Sequence, residues 1–411
     1  MKTILENDRL VLCLEDRIDS NNAPVVENEI LSVLKAHPVA DVSIDAGKLA
    51  YISSAGLRVL MILLKGNDRK LTIFNVSSQV YDILEVTGFT MLFDVKKRLR
   101  EISVDGCELI GSGAYGRVYR MDEETIAKIY TPDISLAFVE QERKVSRNAF
   151  LMRVPTAIAY DVVKCGDCYG VVYELLDAQT MAQFIDRDPG CIPEIGKRCA
   201  ELLRQLHQIV PGADSGLPSR KEKLLDWVAF LSNYIKPEEA DTIKSFIRSI
   251  PDRNTFLHGD FNSKNIMVTQ KKDMPDSEGS ASPDYDFQLI DIGDAAIGHP
   301  VFDLAMLMNV YITVPADMGG GLTEEGVRHL LGFEIKYARK LWNVMCGIYF
   351  GLSDPGEIEA MTEKMSPYSL LITTFHATTM TGDRDVIQAR VDHLLRGKLL
   401  PAIAQAQPLD F

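Results

Sequence analysis

Between His258 and Asn265 the chain reads His-Gly-Asp-Phe-Asn-Ser-Lys-Asn, and a later apolar run, Leu289-Ile290-Asp291-Ile292, carries a lone carboxylate. The loop sets a carboxylate, Asp260, and an amide, Asn265, five residues apart, and the strand-like run supplies Asp291 as a second carboxylate. Singly none of these means much, since Asp in a loop is most often a turn former. Together they are a chemical set. One carboxylate can accept the proton of a hydroxyl, while an amide oxygen and a second carboxylate are hard donors that suit Mg²⁺. Transfer of a phosphoryl group from ATP needs that set. With a Gly-rich segment and a lysine upstream, in that order, chance is a poor explanation.

At 411 residues the chain is longer than one domain usually runs. Hydrophobic content of 46% and charged content of 25% are ordinary for a globular protein. No apolar run reaches the ~18 residues a transmembrane helix needs. The first residues meet acid almost at once and show no signal-peptide core, so the cytoplasm is the expected compartment. The net charge of −14 falls wholly beyond residue 100, because residues 1–100 hold 13 groups of each sign. No basic tract marks a nucleic-acid partner; the acidic remainder fits a cationic substrate or none in particular. The Cys165-Gly166-Asp167-Cys168 pair lies between two strand-like runs and reads as a hairpin turn. Zinc would need a second pair of ligands, and the sequence shows none at suitable spacing.

Residues 1–100 alternate strand and helix signals: a strand at Leu10–Leu14, an amphipathic helix over Ala23–Leu34, a strand at Asp41–Asp45, a helix over Ser54–Leu64, a strand at 71–76 and a helix from Ser78 to Val86. That alternation predicts an open α/β sheet with helices against it. Tyr51-Ile52-Ser53-Ser54-Ala55-Gly56-Leu57-Arg58-Val59-Leu60 resembles the signature of STAS domains, the fold of bacterial anti-sigma factor antagonists. The resemblance implies a protein partner and, aligned on Gly56-Leu57, a phosphoacceptor at Ser54. The usual preceding Asp is replaced by Ser53, and the following Ser by Ala55. A phosphate at this helix N-terminus would meet unpaired backbone N–H groups, whereas a plain capping role for Ser53 or Ser54 needs no switch.

After a linker at Glu101–Asp105 the pattern changes to hairpins and then long helices. Gly111-Ser112-Gly113-Ala114-Tyr115-Gly116-Arg117-Val118 fits G-x-G-x-x-G-x-V. A dinucleotide fingerprint would open a helix. Here the glycines lead into strand–turn–strand, with Lys128 on the third strand beside the small Ala127. Protein kinases cover ATP phosphates in this way and set the Lys on the α- and β-phosphates; Ala127 leaves room for adenine. A carboxylate on the next helix usually orients such a Lys, and Glu140 and Glu142 are both available. The polar, turn-rich stretch from Thr269 to Asp286 reads as a surface insertion.

The His-Gly-Asp loop, the Asp291-Ile292-Gly293-Asp294 motif and the absence of Ala-Pro-Glu make the region from about 107 to 400 resemble the aminoglycoside phosphotransferase and choline kinase-like branch of the protein kinase-like fold. By that resemblance Glu142 is the partner of Lys128, the backbone of Glu174 and Leu176 pairs with adenine, and Asp260 is the base. His207 and Asp303 are structural, and Asn265 and Asp291 hold Mg²⁺. The cofactor-binding set is then Gly111, Ser112, Gly113, Gly116, Val118, Ala127, Lys128, Glu142, Glu174 and Leu176, with Asp260 and Lys128 catalytic. The expected architecture is an α/β STAS domain at 1–100 followed by an α+β bilobal kinase-like fold, its N-lobe at 101–176. The C-lobe, at 177–411, includes helices such as Glu324–Tyr349 and Asp385–Leu395 that shape the acceptor site.

Three functions fit. The first is an ATP- and Mg²⁺-dependent phosphotransferase acting on a hydroxyl of a small molecule. The second is a Ser/Thr protein kinase acting on Ser54 or on a STAS-bearing partner. The third is a non-enzymatic nucleotide-sensing module of the anti-sigma antagonist type.

Overall fold

Alternating burial builds the first sheet. Along Arg9–Ile18 the side chains of Leu10, Leu12 and Leu14 point inward, and along Asp41–Ile52 those of Val42, Ile44 and Ala46 do the same. Five strands lie in chain order: Lys2–Glu6, Arg9–Ile18, Asp41–Ile52, Thr72–Val76 and Asp94–Lys97. The first pair is antiparallel and the later pairs are parallel. Helices Ala23–Ala36, Ser54–Leu64 and Ser78–Val86 connect the strands and share one apolar core with them. Both edge strands escape the sequence reading because they are short and mostly exposed. Gly56 is required by close approach: a Cβ there would lie 2.7 Å from Ile52 Cγ1 and 2.9 Å from the Ile18 carbonyl oxygen.

This computed structural model describes residues 2–6, 9–37, 41–64, 71–113, 115–212, 215–270, 285–317 and 323–411. Its chain divides into two units, Met1–Ser103 with Val163–Gly166, and Val104–Val162 with Asp167–Phe411. The polar stretch read as an insertion lies, over 271–284, outside the described residues.

In the second unit, residues 159–162 and the strands Cys168–Glu174, Thr125–Tyr130, Gly116–Arg120 and Glu108–Gly113 lie side by side in that order. Cys165 and Cys168 flank a two-residue turn whose Gly166 has φ +57°, and both cysteines are free thiols. Helix Leu136–Leu151 follows, with the Ser135 hydroxyl accepting the Phe138 N–H at its start. The remainder is mostly helical around a large core that includes Phe256, Phe261, Tyr311 and Trp342. A small antiparallel pair of strands, Ile266–Gln270 with Tyr285–Leu289, adjoins the ends of the two motif segments.

Two helix expectations need correction. Glu324–Tyr349 is not one helix: Gly332, at φ +76°, ends Glu324–Leu331 in a left-handed cap, and Ala338–Phe350 starts anew. Asp385–Leu395 is the α-helix Arg384–Arg390, which widens into π-type turns over Val391–Leu399. The longest helix, Pro355–Thr379, holds Pro367 within it and has little amphipathic signal, because most of its second half is buried on every side. Among the described residues, no helix is long and apolar enough to cross a membrane.

Candidate active site

Strand register places Lys128 opposite both Val118 of the Gly-rich hairpin and Val171. Its Nζ lies 2.8 Å from Glu142 Oε1 and 2.7 Å from Asp291 Oδ1. Glu142 is on the inward face of its helix with Val139, Val145 and Ala149, whereas Glu140 is exposed. Gly293 is what lets that helix come so close, since a Cβ there would sit 2.9 Å from Glu142 Cδ. Burial by itself would lower the Lys128 pKa, but Asp291 and Glu142 outweigh it and hold the ammonium charged well above its ordinary range.

The glycines of the hairpin differ in what they do. Gly116 is a packing residue, for a Cβ would fall 2.2 Å from the Ile129 carbonyl oxygen. Gly113 has open space around it, so its lack of a side chain answers no packing need and leaves the backbone open to an anion. Gly111 and Ser112 face Val118 and Arg117 across the hairpin, and Ala114 lies outside the described residues. Ala127 is fully buried opposite Val172. At the end of that strand the Glu174 N–H donates to the Ile158 carbonyl and its carboxylate accepts the Ile158 N–H. The Glu174 N–H and one of its carboxylate oxygens are thus taken up within the protein. The Leu176 carbonyl accepts the Ala178 N–H.

The loop at 258–265 is pinned from below by Asp303, which is fully buried. Its Oδ2 accepts the His258 N–H at 2.9 Å and its Oδ1 the Gly259 N–H at 2.8 Å. His207 Nε2 lies 3.2 Å from Oδ2, while His207 Nδ1 meets the Tyr349 hydroxyl at 2.7 Å. Burial alone would raise the Asp303 carboxyl, yet His207 and these donors hold it below the usual carboxylate range. Gly259 has φ +85°, and a Cβ would lie 2.1 Å from the Asp294 carbonyl oxygen and 2.2 Å from Arg220 Nη2. An arginine at that position has no room, because the guanidinium of Arg220 already stands there and donates to the Asp294 carbonyl at 3.2 Å.

Above this base the Asp260 carboxylate is held on both sides. Its Oδ1 accepts from Asn262 Nδ2 at 2.9 Å and its Oδ2 from Asn265 Nδ2 at 2.8 Å. Burial, and then the charge of Asp291, push its pKa up to about 7 against these bonds. Asn265 uses its Nδ2 on Asp260, which leaves Oδ1 on the other side of the amide. The Asn265 carbonyl accepts the Ile290 N–H at 3.0 Å and ties the loop to the Asp291 segment. Asp291 itself sits in the left-handed region at φ +59°, a sparsely populated conformation for a non-glycine residue of the kind that clusters at functional sites.

The structure thus gathers Lys128, Glu142 and Asp291 in one charged cluster, and Asp260 and Asn265 in one hydrogen-bonded loop. Sequence reasoning missed Asn262, Arg220 and Tyr349. Asn262 could have been noticed as a second amide within the loop. Arg220 belongs to the charged run Arg220-Lys221-Glu222-Lys223, where nothing separates a buried arginine from a solvated face.

In the first unit, Ser53 and Ser54 divide the roles that the sequence leaves open. The Ser53 hydroxyl accepts the Ala55 and Gly56 N–H groups at 3.2 and 3.5 Å, while Ser54 is exposed. Ser53→Ala is therefore expected to cost about 1 kcal/mol of stability, and Ser54→Ala only within about ±0.5 kcal/mol. Urea midpoints of the two variants check this, and equal costs would mean that Ser53 is not the cap.

A model of the phosphotransferase enzyme family matches residues 106–327, and a STAS-domain model matches residues 2–102. A Bordetella bronchiseptica protein named as an anti-sigma factor antagonist, BtrV, is 33% identical over 89 residues, which are 21% of this chain and 76% of that protein. Among solved structures, aminoglycoside phosphotransferase APH(2'')-Ib with ADP bound aligns with 77% of this chain and 97% of its own, at a TM-score of 0.45 and 15% identity. Macrolide 2'-phosphotransferase type I aligns with 71% of this chain and 93% of its own, at 0.36 and 15%. The chain belongs to the phosphotransferase enzyme family and carries a STAS domain ahead of the family's region. The members of that family are phosphotransferases.

Proposed function

We propose that this protein transfers the terminal phosphoryl group of ATP to a hydroxyl of a small molecule, with the STAS domain serving as a docking module for a protein partner. The observation that carries the reading is the meeting of Lys128, Glu142 and Asp291, with a desolvated Asp260 carboxylate on the loop tied to the same segment. Lys128, kept charged, would hold the α- and β-phosphates under the open backbone at Gly113. Ala127 and Val118 would border the adenine, whose edge would meet the Glu174 carbonyl and the Leu176 N–H. That hinge would divide an N-lobe at 101–176 from a C-lobe at 177–411.

The donors at the front of the cluster suit Mg²⁺. Asn265 Oδ1 and the half-exposed Asp291 carboxylate are hard oxygens, and this ion is often held by one or two carboxylates plus substrate phosphates. Bound there, the ion would offset phosphate charge. Asp260 would orient the acceptor hydroxyl and take its proton. The setting that goes with this reading is the cytoplasm, where ATP is supplied.

Labelled ATP tests it. The full chain is incubated with a panel of hydroxyl-bearing metabolites and aminoglycosides, and label is followed on small molecules and on protein. Label on a small alcohol is the expected result. Ser54 is exposed and does not cap its helix, which favours a Ser/Thr protein kinase reading as the second choice. Label on the protein that disappears in Ser54→Ala would establish that second reading. Tight ATP binding with no turnover on any acceptor would leave a nucleotide sensor instead.

A further inference from the structure

The Asn262 side chain makes more bonds than its place in a turn requires. Its Oδ1 accepts the Lys264 N–H at 2.9 Å, which closes an Asx turn. Asp or Ser could supply that acceptor equally well. Its Nδ2 does something that neither could, donating to Asp260 Oδ1 at 2.9 Å and to the Asp260 carbonyl at 3.1 Å. Asn265 takes Oδ2 in the same way, at 2.8 Å. Each carboxylate oxygen is thus held by its own amide, and rotation about Cβ–Cγ would break both bonds. Asn265 has a further use for its remaining oxygen in the proposed Mg²⁺ site. Asn262 has none, and its amide is committed wholly to the loop.

We infer that Asn262 is a positioning residue for phosphoryl transfer: its Nδ2 fixes the plane of the Asp260 carboxylate so that one lone pair faces the reacting hydroxyl. The inference rests on Asp260 being the proton acceptor. Orientation of a reacting group contributes directly to the barrier, and a bonded geometry that drifts by about 1 Å can cost on the order of a hundredfold. A hydrogen bond to a charged group is worth about 1.5–3 kcal/mol, equivalent to roughly ten- to hundredfold in rate.

Substitution separates the donor from the turn. Asn262→Ser and Asn262→Asp both keep an oxygen for the Lys264 N–H and both lack the Nδ2 donor. Asn262→Asp also places a like charge against Asp260. The measurement is steady-state phosphate release from ATP by the full-length protein, with water standing in for the alcohol. Asn262→Ser is expected to lower kcat about ten- to hundredfold, and Asn262→Asp by more, with KM for ATP within about twofold of wild type. In an Asp260→Asn background neither change should lower the rate further, because the group they position is already gone. Wild-type kcat in both variants would show that only the turn matters and would overturn the inference. So would a loss of the same factor in the Asp260→Asn background, which would place the effect in the fold. Full activity of Asp260→Asn alone would instead remove Asp260 as the proton acceptor, and the inference with it. Melting curves guard against misfolding, with Asn262→Asp the closest in shape to the native residue.

Discussion

Asp260→Asn is expected to lower kcat by about 10²–10⁴-fold on whichever alcohol the panel identifies, with KM for ATP changed by no more than about threefold. The replacement keeps size and polarity and removes the ability to take a proton. It also keeps one carbonyl-type oxygen, so one of the two amide bonds to Asn262 and Asn265 survives and the loop stays in place. The carboxylate's pKa is set by opposing effects. Burial and the nearby Asp291 charge make the proton welcome, while two amide donors keep the ionised form accessible. Steady-state kinetics on the purified variant, with its circular dichroism matched to wild type, decide the matter. A kcat within about threefold of wild type would take Asp260 out of the chemistry.

Parts of the candidate site were legible because they are local in sequence. Asp260 and Asn265 lie five positions apart, and the strand–loop–strand–turn–strand pattern of the glycine segment puts Lys128 on the third strand. Glu142 was chosen over Glu140 by resemblance, yet the helix pattern itself makes the choice. Val139, Val145 and Ala149 define the buried stripe, and 142 lies three residues from the first two. Other features depend on contacts between distant segments, which no window of sequence contains. Gly259 looks like a turn glycine until Arg220, from a helix some forty residues earlier, is found where its side chain would be. Gly293 looks like part of a metal motif, and is also the space into which Glu142 packs. The break at Gly332 was hidden because apolar periodicity resumes after it, and the helix through Pro367 because its buried half has no polar face.

Asp303 is where the largest loss of stability is expected. Asp303→Ala leaves the His258 and Gly259 N–H groups and His207 Nε2 without their acceptor, all inside the core. Breaking such a buried charged cluster from one side costs about 3–5 kcal/mol. His207→Ala keeps both backbone bonds and should cost less, about 1–3 kcal/mol. Urea denaturation at pH 7 compares the two. The pH dependence follows from the sign of the shift. The folded carboxyl is held below its ordinary range, so its stabilising contribution is complete above the unfolded pKa of about 4 and is lost only as pH falls below that. The gap between wild type and Asp303→Ala should therefore stay constant from about pH 8 to pH 5 and narrow on further acidification. A gap at pH 7 of less than about 1 kcal/mol would mean that the loop is held by its neighbours, among them the Ser263 N–H donating to the Tyr311 hydroxyl and the Ser263 hydroxyl donating to the Leu331 carbonyl. The expected result instead makes Asp303 the anchor on which the geometry of Asp260 depends. In that case Asp303→Ala lowers kcat as well as stability, through an Asp260 carboxylate that is intact but no longer fixed.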